Sequence, residues 1–325
     1  MNKSAIKNDI KQVCAFTARN VKLFFKDKGM LIGALIAPLI IMMLYALFLH
    51  RVFLQSFDGM LSDFSLGAKT VNGVVASYEV SSVLAVCCIT VAFVANMNMV
   101  ADKVNGVRAD ITVTPAKGHV LVLGYYFATA IVTLAVCYIA MIVGFCYIAG
   151  MGWAMTAADT FAVILDVFLT VLFGTALSSI VCYFLKSSGA ISAVSTIVSS
   201  VYGFTCGAYY PISQFSTGMA NAIMCMPGTY CTGLFRSHMM GEYASLMAAE
   251  NVPQQAIDGL LNGFDAKLSF FGSEVKTWAM YVVVVCTVIA LIGIFVLINA
   301  LCGAKRRRAK PTAVDNQAVA DHSKT

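Results

Sequence analysis

Long unbroken runs of apolar residues, separated by short polar stretches, set the layout of this chain. Six runs are rich in Leu, Ile, Val, Ala and Met: residues 30–49, 80–100, 120–149, 161–185, 190–210 and 278–302. Each is long enough for a helix crossing the hydrocarbon core, which takes about 20 residues. A membrane barrel would instead show short segments of alternating polarity. The pattern therefore predicts an all-α polytopic membrane protein with six transmembrane helices. The third run exceeds what one crossing needs and is expected to tilt or project.

Two further segments carry a weaker pattern. In the arm 1–29, Ile10, Val13, Cys14, Thr17, Val21, Phe24 and Phe25 recur at helical spacing, while Lys11, Arg19, Lys22 and Lys26 fall mostly on other faces. An apolar stripe flanked by cations predicts an amphipathic helix lying in the membrane interface. Gly29 then lets the chain turn into the first span. Such a helix is either an anchor or a lever moved by a cytoplasmic partner. Between spans five and six, about 211–277, the stretches 212–226 and 228–240 are apolar but too short to cross, and Pro227-Gly228 divides them. They are expected as outer re-entrant helices, in the interface or dipping into the bilayer. The remainder holds Glu242, Glu250, Asp258, Asp265 and Glu274 and reads as short amphipathic helices, for example 254–261. Residues 51–77 and 150–160 are expected as the other outer loops.

Composition agrees and charge adds direction. The chain has 325 residues, 59% hydrophobic and 12% charged, against about 45–50% and about 25% in soluble domains. That excludes a soluble fold, a disordered chain and a secreted disulfide scaffold. Six crossings put both termini on one side. Seventeen of the 22 Lys and Arg residues fall on that side, so the termini are expected in the cytoplasm and the chain in the cell membrane. The division is then a cytoplasmic arm 1–29, a transmembrane domain 30–302 and a basic cytoplasmic tail 303–325. The first span is not the shape of a cleaved leader, because charges precede it and no small-residue cleavage site follows. The net charge of +6 reflects topology and lipid contact, and calls for no nucleic acid.

Polar residues inside the spans are the first candidates for chemistry, since charge within the bilayer is costly. Asp166 lies about two turns into the fourth span and either lines a path or pairs across helices. Glu79 stands at the outer start of the second span, where it is either wet or on the same path. Asn96 and Asn98, near that span's inner end, are candidates for the path and for interhelical hydrogen bonds. Small residues crowd spans four and five, which favours close packing or a subunit interface. Most of the 11 Cys lie within spans and act as small apolar residues; Cys225 and Cys231 face outward, with pairing left open. No metal-ligand spacing, phosphate loop or hydrolase signature occurs in the sequence. The chain is therefore expected not to be an enzyme and to bind no cofactor itself. Uphill transport would need energy from another subunit or from an ion gradient.

The ordered set of parts resembles the permease subunits of type-2 ABC transporters. The amphipathic arm runs through Arg19 to Lys28 into a span with Ala37-Pro38-Leu39-Ile40. The loop Asp102-Lys103-x-x-Gly106 leads to Thr114-Pro115. The Gly/Ser-rich fifth span ends in Tyr209-Tyr210-Pro211-Ile212-Ser213, and Met226-Pro227-Gly228-Thr229-Tyr230 precedes Arg236. Members often carry Glu where Asp102 stands, and many have Leu-Pro where this chain has Phe215-Ser216. The resemblance implies the membrane subunit of an ATP-driven exporter, forming the path as a dimer with an identical or similar permease subunit. ATP and Mg would be held by separate ABC ATP-binding subunits. Arg19, Lys26, Asp102, Lys103, Gly106, Asp110 and Pro115 would form the coupling element, and Pro211, Pro227, Tyr230 and Arg236 would shape the outer re-entrant region. The alternatives are an ion-coupled secondary transporter, which the lack of an internal repeat disfavours, and a non-transporting membrane scaffold.

Overall fold

A computed structural model describes residues 3–61, 64, 66–107, 111 and 118–308. The described chain is helical apart from one two-stranded hairpin, the architecture of an all-α polytopic membrane protein. Helix α1 (Lys3–Lys26) is followed by α2 (Lys28–Leu44), whose start is capped by Asp27 accepting from the Met30 amide at 3.1 Å. A π turn (Tyr45–Leu49) joins α2 to α3 (His50–Leu61). Then come α4 (Ala68–Ala95), α5 (Met97–Val104), α6 (Gly118–Gly152), α7 (Ala157–Phe184) and α8 (Ser188–Thr205). A 3-10 turn (Ile212–Gln214) leads to α9 (Thr217–Met224), α10 (Pro227–Ala249) and α11 (Gln254–Gly263). The antiparallel strands β1 (Ser269–Phe270) and β2 (Ser273–Glu274) precede α12 (Thr277–Arg308).

Among the described residues, five helical stretches are long and apolar enough to cross a membrane: Lys28–Phe57, Ala68–Val104, Gly118–Gly152, Ala157–Phe184 and Thr277–Asn299. The apolar stretch Gly189–Thr205 of α8 is shorter, about 26 Å at helical rise against a core of about 30 Å. Helix α4 forms the centre, packed against α2, α6, α7, α8 and α10. It is buried almost all round, the mark of a helix enclosed by others. Glycines permit the closest approaches. A Cβ on Gly73 would collide with the Gly152 carbonyl and the Tyr243 ring, and one on Gly174 with the Cys88 carbonyl.

The segment 51–77, expected as a loop, is largely helical instead. Helix α3 buries Phe53 and Phe57, and Phe53 and Tyr78 meet edge to face at 4.8 Å with Phe264 close by. Helix α4 starts at Ala68, well before the expected Val80. Its first turns carry polar residues that satisfy one another: Glu250 accepts from the Gly67 amide at 2.7 Å and from Thr70 Oγ1 at 2.8 Å. Hydropathy reads such a stretch as water-loving because it sees no partners.

Candidate functional site

The end of the bundle near the termini gathers part of the expected coupling set. Helix α4 stops where Asn96 turns inward. Its Nδ2 donates to Ser178 Oγ at 2.6 Å, and its Oδ1 accepts from Thr129 Oγ1 at 3.1 Å, tying α4 to α7 and α6. Helix α5 then carries Asp102 and Lys103. Asp102 Oδ2 accepts from Arg19 Nη1 of α1 at 2.9 Å and from the Tyr125 hydroxyl of α6 at 2.7 Å. The hydrogen bond to Asp102 is the main cause that raises the Arg19 pKa above its ordinary value, so this guanidinium stays charged. Arg19 also donates to Asn20 Oδ1 at 2.9 Å. Lys103 Nζ donates to the carbonyls of Tyr183 and Leu185, both at 2.7 Å. Those carbonyls close α7, where a helix has unsatisfied acceptors and the negative end of its dipole.

Two neighbouring residues of one short helix therefore grip three others. Gly106 follows at φ +78°, a left-handed conformation that favours glycine, and is exposed. Lys26 is exposed at the end of α1. Asp110 and Pro115 lie outside the described residues.

The other half of the bundle holds three buried polar clusters. Asp166 of α7, fully buried, accepts from the Tyr281 hydroxyl of α12 at 2.7 Å and pairs with His238 Nδ1 of α10 at 2.7 Å. Glu79, expected at the outer start of its span and either wet or on the path, is not wet: it is 1% exposed. Because α4 begins at Ala68, Glu79 lies three turns inside it. Its Oε2 accepts from the Tyr147 hydroxyl at 2.9 Å and faces His50 Nδ1 at 3.3 Å. Arg236 is 1% exposed and lies 4.4 Å over the Tyr78 ring. It donates to Asp265 Oδ2 at 3.0 Å, to Ser82 Oγ at 3.1 Å and to the Gly207 carbonyl at 2.5 Å. Asp265 in turn accepts from the Ile212 and Ser213 amides, at 2.5 and 3.0 Å. This knot fixes the chain after α8 beside α4 and α10.

The four path candidates do not converge. Asp166 and Glu79 have separate partners, while Asn96 and the half-buried Asn98 lie toward the opposite end. Pro211 opens the 3-10 turn, Pro227 is the first residue of α10, and Tyr230 is buried. Cys225 and Cys231 are free thiols, the first exposed and the second buried. Among the described residues no group of three or more His, Cys, Asp or Glu has metal-site geometry. Sequence reading missed His50, His238, Tyr281 and Asp265 as partners. They lie 29 to 115 residues from the groups they bind, and no local spacing marks them.

The family model described as "ABC-2 type transporter" matches residues 11–240 of the chain. Comparison with curated proteins gives no match.

Proposed function

Since the chain belongs to the ABC-2 type transporter family, and is thus a multi-pass permease component of an ABC transporter, we propose that it forms the membrane path of an ATP-driven exporter. In this reading two such subunits, identical or similar, pair in the cell membrane with both termini in the cytoplasm. ATP and Mg are held by separate ATP-binding subunits that dock at the α1 and α5 end. The observation that carries the reading is the double grip of α5: Asp102 on Arg19 and Tyr125, Lys103 on the end of α7.

The mechanical logic follows from bond strengths. Charge-assisted hydrogen bonds are about twice as strong as neutral ones. A push on Asn105 and Gly106 at the end of α5 is then shared by α1, α6 and α7 instead of bending α5 alone. Exposed Gly106 and Lys26 are free to meet a soluble partner. Asp166 and Glu79, each held by neighbours within the bundle, are candidates for the path only if those bonds open during transport.

The test is affinity purification of the full chain from native membranes. Recovery of an ATP-binding subunit is expected, with ATP hydrolysis stimulated by the pair. Asp102→Ala should leave the ATP-binding subunit attached and uncouple hydrolysis from efflux. Purification without any ATP-binding protein, or full efflux in cells lacking one, would overturn the proposal.

A further inference from the structure

Helix α1 does not lie flush on α6. One face is seated: Thr17 Oγ1 donates to the Gly124 carbonyl at 3.4 Å, and Phe16 occupies the space that a Cβ on Gly124 would need. The neighbouring face stands off. Ile10, Val13 and Val21 of α1 look across at Leu123, Phe127 and Ile131 of α6, leaving an open groove of about 900 Å³. Its walls are almost wholly carbon, and the Asp9–His119 ion pair, at 3.4 Å, is among its few polar groups.

Three features define the occupant. The groove follows α6 from His119 to Ile131, about 18 Å of helix, a length that an extended acyl chain can follow. An acyl chain has no backbone amides to satisfy, whereas a peptide strand would leave its own unpaired against such walls. Finally, Lys7, Lys11 and Lys22 are exposed on α1 and fall within an arc of about 60° along one flank of the groove-facing side. A second copy seated through the same face would bring these like charges together. An anionic headgroup would neutralise Lys7 and Lys11, which stand one turn apart on α1.

We propose that the groove between α1 and α6 is a binding site for one anionic glycerophospholipid, taken from the leaflet on the side of the termini. An acyl chain fills the groove and the phosphate sits against Lys7 and Lys11. The site is independent of the coupling proposal, since it requires no ATP-binding partner.

The test is native mass spectrometry of the full chain in detergent, with added phosphatidylglycerol or phosphatidylcholine. One retained phosphatidylglycerol is expected, preferred by up to about thirtyfold for two lysines at the membrane surface. Val13→Trp projects an indole into the groove that Val13 lines and should lower retention of both lipids. Lys7→Glu with Lys11→Glu, a surface change that leaves packing intact, should erase the preference while phosphatidylcholine still binds. Equal retention of the two lipids by the unaltered chain would overturn the proposal. So would unchanged retention in folded Val13→Trp, or a dimer mass that Val13→Trp removes.

Discussion

Replacing Arg236 with Met removes the centre of a heavily bonded buried cluster. The guanidinium is 1% exposed and serves Asp265, Ser82 and Gly207 while lying on Tyr78. Its loss leaves the Asp265 carboxylate buried without its cation and the Gly207 carbonyl without this donor. Breaking a buried ion pair from one side costs about 3–5 kcal/mol. At about 2 °C per kcal/mol for a chain of this size, the melting temperature should fall by about 6–10 °C. The assay is thermal melting in detergent followed by a thiol-reactive fluorophore, because Cys87, Cys88, Cys137, Cys182, Cys206 and Cys231 are buried and react only on unfolding. Asp265→Asn alone should cost a similar amount. The double variant removes both charges, so its loss should be smaller than the two single losses added together. Strictly additive losses, or a single-variant drop below about 2 °C, would refute the pairing as a source of stability.

Other consequences are as direct. Asp166→Ala leaves His238 and Tyr281 without their acceptor and should lower stability by about 1–3 kcal/mol, read by the same melting assay. Gly73→Val drives methyl groups into the Gly152 carbonyl and Tyr243. Overpacking of that kind costs about 1–3 kcal/mol or more, and size-exclusion profiles should show less folded protein. The exposed Asp258 carboxyl is held below its ordinary value of 3.8, first by the hydrogen bond from Lys267. The stabilisation it gives is present above that ordinary value and disappears as pH falls through the depressed one. In Lys267→Met, a carbon-detected titration of labelled Asp should show Asp258 titrating at higher pH than in the unaltered chain.

Helices were legible wherever apolar residues ran unbroken. The run 161–185 became Ala157–Phe184, and 278–302 lies within Thr277–Arg308. Legibility failed where polar residues are satisfied inside the fold. The start of α4 holds Lys69, Thr70, Asn72, Ser77 and Glu79, so its hydropathy falls below that of a span although Glu79, Thr70 and Ser77 are buried. Asp166 could be singled out because a lone carboxylate inside a span is costly, but its partners lie on other helices. The same holds for the coupling region. Asp102, Lys103 and Gly106 were suggested by a family pattern, while the bond from Arg19 to Asp102 joins residues 83 apart and needed the fold to bring them together. The outer carboxylates looked alike in sequence. The structure separates them: Asp258 stays at the surface with Lys267, and Asp265 is drawn inside by Arg236 and two backbone amides.

Whether the α5 end receives the ATP-binding subunit can be measured by placing a photoreactive amino acid at the exposed Asn105, between Val104 and Gly106. Phe271, 75% exposed at the hairpin turn, provides the control position. Irradiation of native membranes should cross-link the Asn105 variant to an ATP-binding protein, with a yield that changes when ATP is added, and leave the Phe271 variant free of that product. An ATP-binding protein captured from Phe271 but not from Asn105, or from neither in membranes that still perform ATP-dependent efflux through this chain, would contradict coupling through α5.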